Sequence, residues 1–216
     1  MTEHSHDALA HKGDPSLDRL LFFSDGVFAI AITLLAIELH VPTGWDGRWA
    51  SLWAGSWTMF TAFGLSFLII GIFWNSHRRL FLNMARFTQG VFILNLAVLA
   101  GIALMPFATS LLYDHPLGGQ GWIIYLSLVV ALGLLQGAAY GYAAFVADVI
   151  RPRQHWMMRA SAMSMQALMP GAACALSLFL FGRGPALWAL GLAAVIAGLI
   201  AFRVVAAKRH GTPARA

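Results

Sequence analysis

Residues 19 to 41 read RLLFFSDGVFAIAITLLAIELHV, an apolar run interrupted near its start by a Ser-Asp-Gly step and, further on, by one threonine. A run of this length crosses the hydrocarbon of a bilayer only as a helix, because a backbone without water must satisfy its hydrogen bonds internally. The rest of the chain follows the same rule. Of 216 residues, 59% are hydrophobic and 11% charged, against about 25% charged in an ordinary soluble domain.

Six stretches have spanning length and composition, near 20–41, 52–74, 88–109, 122–147, 160–181 and 185–206. The expected fold is therefore an all-α integral membrane protein with six transmembrane helices, the membrane domain covering residues 19–206. Residues 1–18 are polar and His-rich, with Gly13 and Pro15, and read as a disordered tail. Residues 207–216 read as a second tail. The first apolar run is too long for the core of a signal peptide and lacks small residues at a cleavage position, so it is expected to be retained.

Twelve basic residues fall on one side of these spans: Lys12, Arg19, Arg78, Arg79, Arg86, Arg151, Arg153, Arg159, Arg203, Lys208, Arg209 and Arg215. Arg48 and Arg183 fall on the other. The positive-inside rule then places both termini in the cytosol of a cell that carries the protein in its plasma or inner membrane. The sequence pI near 10 reflects these short juxtamembrane clusters, which suit anionic lipid contact. No nucleic-acid motif accompanies them. Cys174 is a lone packing residue in span five, which excludes a disulfide within the chain. No cofactor is implied.

The turn chemistry concentrates in two outer loops, Pro42 to Gly47 and His115 to Gly119, and Trp45, Trp49, Trp53 and Trp57 suit the headgroup region beside the first of them. Gly133, Gly137 and Gly141 repeat every fourth residue and offer a close-packing face on span four. Tyr140-Gly141-Tyr142 lacks the flanks of a carbonyl selectivity filter. Pro106 and Pro170 are expected to bend spans three and five.

On a helical wheel at about 100° per residue, Thr33, Leu34 and Ile37 fall within about 60° of Ile30, whereas Asp25 lies about 140° away. One stripe of the first helix is thus aliphatic but for a hydroxyl, and Asp25 faces neighbouring helices. An acid inside a span calls for a partner. Arg19 is six residues distant, wrong for a pair along one helix. Trp74, Asn75, His77 and Arg78 on span two, with Arg86 and Asn95, lie at the matching depth. A buried polar network fixing helices one to three is the favoured reading, over direct proton or ion handling. Glu38, at the outer end, either adds negative potential to a vestibule or snorkels to solvent.

Arg19-Leu20-Leu21-Phe22-Phe23-Ser24-Asp25 resembles the RxxxFSD signature of the transmembrane protein 175 family of potassium channels, found in animal endolysosomes and in bacteria. The similarity continues through Gly26 to Ile30 and Thr33 to Leu35, and extends to Trp74, His77, Asn95 and Met105-Pro106-Phe107. It covers spans one to three. The resemblance implies one six-helix repeat per chain and a homotetramer whose first helices line a central pore permeable to potassium. It also implies a constriction at Ile30, further aliphatic layers at Leu34 and Ile37, cation preference at Thr33, and a network of Arg19, Phe23, Ser24, Asp25, Trp74, His77 and Asn95. An aliphatic ring gates by excluding water, without a carbonyl filter.

Two other classes compete. A proton-coupled or solute transporter would use Asp25, His77 and Glu38 as relay groups. A membrane enzyme would need a nucleophile elbow or a His-Glu-x-x-His pair, and the chain has neither.

Overall fold

The structure, a computed structural model, describes residues 14–113 and 119–150. Within them α1 covers Pro15–Ile37, α2 Trp49–Leu82, α3 Gln89–Ala103, α4 Met105–Ser110 and α5 Gln120–Gly141, followed by a π-helical turn over Tyr142–Val146. Four of the helical stretches are long and apolar enough to cross a membrane, α3 and α4 together forming one. The spans read at 160–181 and 185–206, with Pro170, Cys174 and the tail at 207–216, lie outside the described residues.

Helix α1 begins at Pro15, so residues 15–18 belong to it and not to a disordered tail. Asp14 explains the difference. Its Oδ1 accepts the Ser16 amide at 2.9 Å and caps the helix, Pro15 supplies a first position that has no amide to satisfy, and Oδ2 accepts the Phe87 amide at 2.7 Å. These bonds, chiefly that from Phe87, hold the Asp14 carboxyl below the usual carboxylate range. A depressed pKa adds stability at neutral pH that is lost as pH falls through the folded-state value. Acidification through that range should therefore expose the amides of Leu17, Asp18 and Phe87 to hydrogen exchange before the rest of the bundle. In Asp14→Asn the same amides should exchange without that pH step.

Helix α2 runs 34 residues, about 51 Å at 1.5 Å per residue, and so extends well past the span read at 52–74. Asn75, His77, Arg78 and Arg79 end the apolar run but remain good enough helix formers to continue the turn. Span three is interrupted at Leu104, where Pro106 opens α4 without an amide to give to Ile102. Gly119 adopts a φ of 89° just before α5, a backbone that strains any residue with a Cβ.

Helices α3 and α5 pack against each other, and a Cβ at Gly101 would fall 2.6 Å from Leu132 Cδ2. Below α5 the chain folds back: the Val149 amide bonds Ala143 O at 3.0 Å, and the Ala85 amide bonds Val149 O at 2.8 Å. The α2–α3 loop is thereby held from two sides, by Asp14 and by Val149.

The apolar core divides in two. One cluster gathers Phe28, Leu35, Ile70, Phe73, Val98, Ile102, Met105, Tyr125 and Leu132; the other gathers Leu20, Leu80, Phe81, Val91, Tyr140 and Val149. On each long helix buried polar residues stand between them: Ser24 on α1, Ser76 and His77 on α2, Asn95 on α3 and Gln136 on α5.

Candidate functional site

Three residues of this polar layer form a directed chain. His77 Nε2 lies 2.6 Å from Asn95 Oδ1, and an amide oxygen only accepts, so the ring donates from Nε2. Asn95 Nδ2 donates to Ser24 Oγ at 3.1 Å, and the Ser24 hydroxyl donates to Leu20 O at 2.8 Å. The imidazole is stacked on Phe81 with centroids 4.5 Å apart and tilted against Phe28 at 5.3 Å. One asparagine thus ties α1, α2 and α3 together. A second link lies nearer the surface, where Trp74 Nε1 donates to Asp25 Oδ1 at 2.8 Å.

Arg19 and Phe23 are not drawn into this network among the described residues. Both are exposed and line an open groove along α1 with Asp18, Phe22, Gly26, Val27 and Ile30. The groove continues the aliphatic stripe. Ile30 is 61% exposed, Leu34 40% and Ile37 74%, while Phe28, Ala31 and Leu35 on the opposite side are fully packed. A spanning helix with one face in the core and the other bare is expected where a further helix, lipid or a water path completes the surroundings.

Thr33 sits on the bare face. Its hydroxyl lies 2.9 Å from Ile30 O and 3.1 Å from Ala29 O, so its proton is spent on its own helix. The oxygen then presents only lone pairs outward. Glu38 closes α1 and is exposed; burial of Tyr113, and secondarily the charge of Glu38, push the phenol above its usual range.

Gln136 and a second polar knot escaped the reading of the residues. Ser66 Oγ is 3.0 Å from the Tyr125 hydroxyl and 2.7 Å from Thr109 Oγ1, which also bonds Met105 O at 2.7 Å. Hydroxyls in spanning helices usually bond their own backbone, so nothing in sequence marks those that bond across. Gln136 carried a signal, an amide amid aliphatics at spacing four from Leu132 and Tyr140. Its depth required the packing of α5 on α3: Gly101 meets Leu132 and Gly90 meets Tyr142, which sets Gln136 within about a turn of Asn95.

Both ends of the Gln136 amide lack a partner among the described residues, as does His77 Nδ1. Burying an unpaired amide costs about 1–3 kcal/mol. Gln136→Leu should therefore raise the thermal midpoint of the purified protein, by an amount equivalent to about 1–2 kcal/mol. A lower midpoint would mean that the amide is bonded in the folded chain.

Residues 19–106 match the family model described as the endosomal/lysosomal potassium channel TMEM175. A protein named a potassium channel in Streptomyces collinus is 43% identical over 99 residues, 45% of this chain and 48% of its own length. The chain thus spans about half the length of this and a second curated bacterial relative that it matches. Mouse TMEM175, named an endosomal/lysosomal proton channel, is 28% identical over 147 residues, 66% of this chain and 29% of its own length. The crystal structure of a lysosomal potassium-selective channel TMEM175 homolog from Chamaesiphon minutus superposes with a TM-score of 0.66 at 25% identity, covering 88% of this chain and 98% of that one. The matched residues contain the FSD step, the aliphatic stripe, Trp74, His77 and Asn95, so in residues 19–106 and in fold the chain is similar to the TMEM175 family.

Proposed function

We propose that the protein is a potassium-permeable channel of modest selectivity, in which four copies of α1 surround a pore. Ile30 forms the narrowest ring, Leu34 and Ile37 form further aliphatic layers, and Thr33 biases which cation passes. The observation that carries this reading is the bare stripe on α1, aliphatic along its length and broken by one hydroxyl whose proton is already committed. A ring of methyl groups cannot replace an ion's hydration shell, so conduction requires widening and wetting. The threonine oxygens, one turn away, offer lone pairs to a partly dehydrated cation and favour the ion that sheds water more readily.

In this reading Ser24, Asp25, Trp74, His77 and Asn95 hold α1 against α2 and α3, so that the stripe keeps its direction. Arg19 and Phe23, exposed in a single chain, meet the neighbouring copy. Glu38 stands at the outer mouth. The basic end of the bundle faces the cytosol of a plasma or inner membrane, with lipids covering the remaining apolar faces.

The test is planar-bilayer recording of the purified protein under opposed potassium and sodium gradients. The reversal potential should lie on the potassium side, and Thr33→Val should lower the potassium-to-sodium permeability ratio by about threefold, roughly 0.7 kcal/mol. An unchanged ratio would remove Thr33 from selection. The names of the animal relatives support a second reading, proton conduction. A reversal potential that follows an imposed pH gradient at constant potassium would select it.

A further inference from the structure

We propose that the end of α2 carries a site for an anionic phospholipid headgroup, formed by Arg78 and Arg79, whose occupancy is passed to α1 through Trp74. The inference rests on the channel reading for its readout but not for its binding step.

Depth comes first. If Trp57 marks one headgroup layer, about 30 Å of hydrocarbon at 1.5 Å per residue brings α2 to the opposite layer some twenty residues on, at Trp74 to Arg78. Arg78 and Arg79 are exposed there. Counting along α1 from the Asp25–Trp74 bond, in the opposite direction, puts Arg19 at the same depth and also exposed. Lipid phosphates occupy this layer, and they attract each arginine near it.

The acids at this end are largely engaged. Asp14 accepts the Phe87 and Ser16 amides, and Asp25 accepts the Trp74 indole. Asp18, beside Arg19, is exposed and lowers the net charge of the α1 side, which leaves the adjacent Arg78 and Arg79 as the stronger anion ligand.

The connection to α1 is a short relay. The Arg78 guanidinium carbon lies 6.0 Å from the centre of the Trp74 ring, within reach of a cation–π contact. The same indole donates to Asp25, one residue from Ser24 and five from Ile30. A phosphate that draws Arg78 outward weakens the hold on the ring and alters the bond that fixes the rotation of α1. An arginine fork suits a phosphate better than a lysine point charge does.

The experiment measures retained lipid and potassium flux separately, on full-length protein in phosphatidylcholine vesicles with and without phosphatidylglycerol. Native mass spectrometry should show phosphatidylglycerol retained by the wild type and about tenfold less by the double variant Arg78→Gln, Arg79→Gln, with Arg78→Lys in between. The flux ratio with and without phosphatidylglycerol should depart from one by several-fold in the wild type and return to one in the double variant. Trp74→Phe keeps a ring beneath Arg78 but has no indole donor; it should retain the lipid and lose the flux response. Equal retention by wild type and double variant overturns the site. A response in Trp74→Phe equal to wild type overturns the relay. Soluble glycerol phosphate that reproduces the flux response makes the site one for free phosphate and overturns the lipid assignment. Variant-sensitive retention without potassium flux in any lipid supports the headgroup site and overturns the channel reading instead.

Discussion

Asn95→Leu should destabilise the bundle by about 2–4 kcal/mol, a loss readable as a large drop in the thermal midpoint. The side chains share the same branched outline of four heavy atoms, so shape changes less than hydrogen bonding does. Asn95 accepts from His77 Nε2 and donates to Ser24 Oγ. Its removal leaves the buried imidazole with neither nitrogen bonded, since Nδ1 already lacks a partner among the described residues. Each buried group left unpaired costs about 1–3 kcal/mol, toward the lower end where a membrane bundle offers substitute partners. Ser24 is affected less, because its proton stays on Leu20 O. Ser24→Ala should accordingly cost less than half as much as Asn95→Leu. Equal losses would mean that the serine, and not the imidazole, is the group that depends on Asn95.

Ile30→Asn should raise potassium flux into vesicles at least tenfold, equivalent to about 1.4 kcal/mol removed from the barrier. The side chain is 61% exposed on the bare face of α1 and outside both apolar clusters, so the substitution removes little packing from the chain's own core. An amide at that position offers water both a donor and acceptors, and in the proposed pore four of them around an axis would wet the constriction that methyl groups would otherwise keep dry. Leu35→Asn is the contrasting change. Leu35 is fully buried on the opposite face, so the same substitution there should unfold the bundle rather than open it. Flux unchanged or reduced by Ile30→Asn, with assembly intact, would take Ile30 out of the narrow passage.

Much of this was legible from residue order. Spanning length identified α1, α2, the α3–α4 pair and α5 to within a few residues at most ends, because burial of the backbone in hydrocarbon leaves no other secondary structure. The exceptions are informative. Asp14 starts α1 early because a carboxylate at a helix N-terminus can also bond a distant amide, that of Phe87, 73 residues away. Helix α2 outruns its apolar run because charge ends hydropathy without ending helicity. Pro106 marks the interruption of span three, as its missing amide requires.

The site was legible by residue type more than by partner. An acid within a span announces a need for a donor, and Trp74 stood at the right depth among several candidates; only the folded chain distinguishes it from Asn75 or Arg78. The pairing of Asn95 with both His77 and Ser24 has no periodic signature, since it depends on three helices meeting. Ser66, Thr109 and Tyr125 were silent for the same reason.

By itself the sequence determined that the chain forms apolar spanning helices, that one face of the first is aliphatic around Thr33, and that an acid near its start needs company. These follow from solvation of backbone and side chain along a single helix, which residue order encodes completely. Tertiary structure decided which polar groups meet: that Asn95 joins three helices, that Trp74 serves Asp25, that Gln136 is buried without a partner among the described residues, and that the stripe from Ile30 to Ile37 stays bare while Leu35 is enclosed. Those outcomes depend on the rotation and depth of one helix against another. Such quantities are set by the sum of many small packing contacts, and no single stretch of sequence contains them.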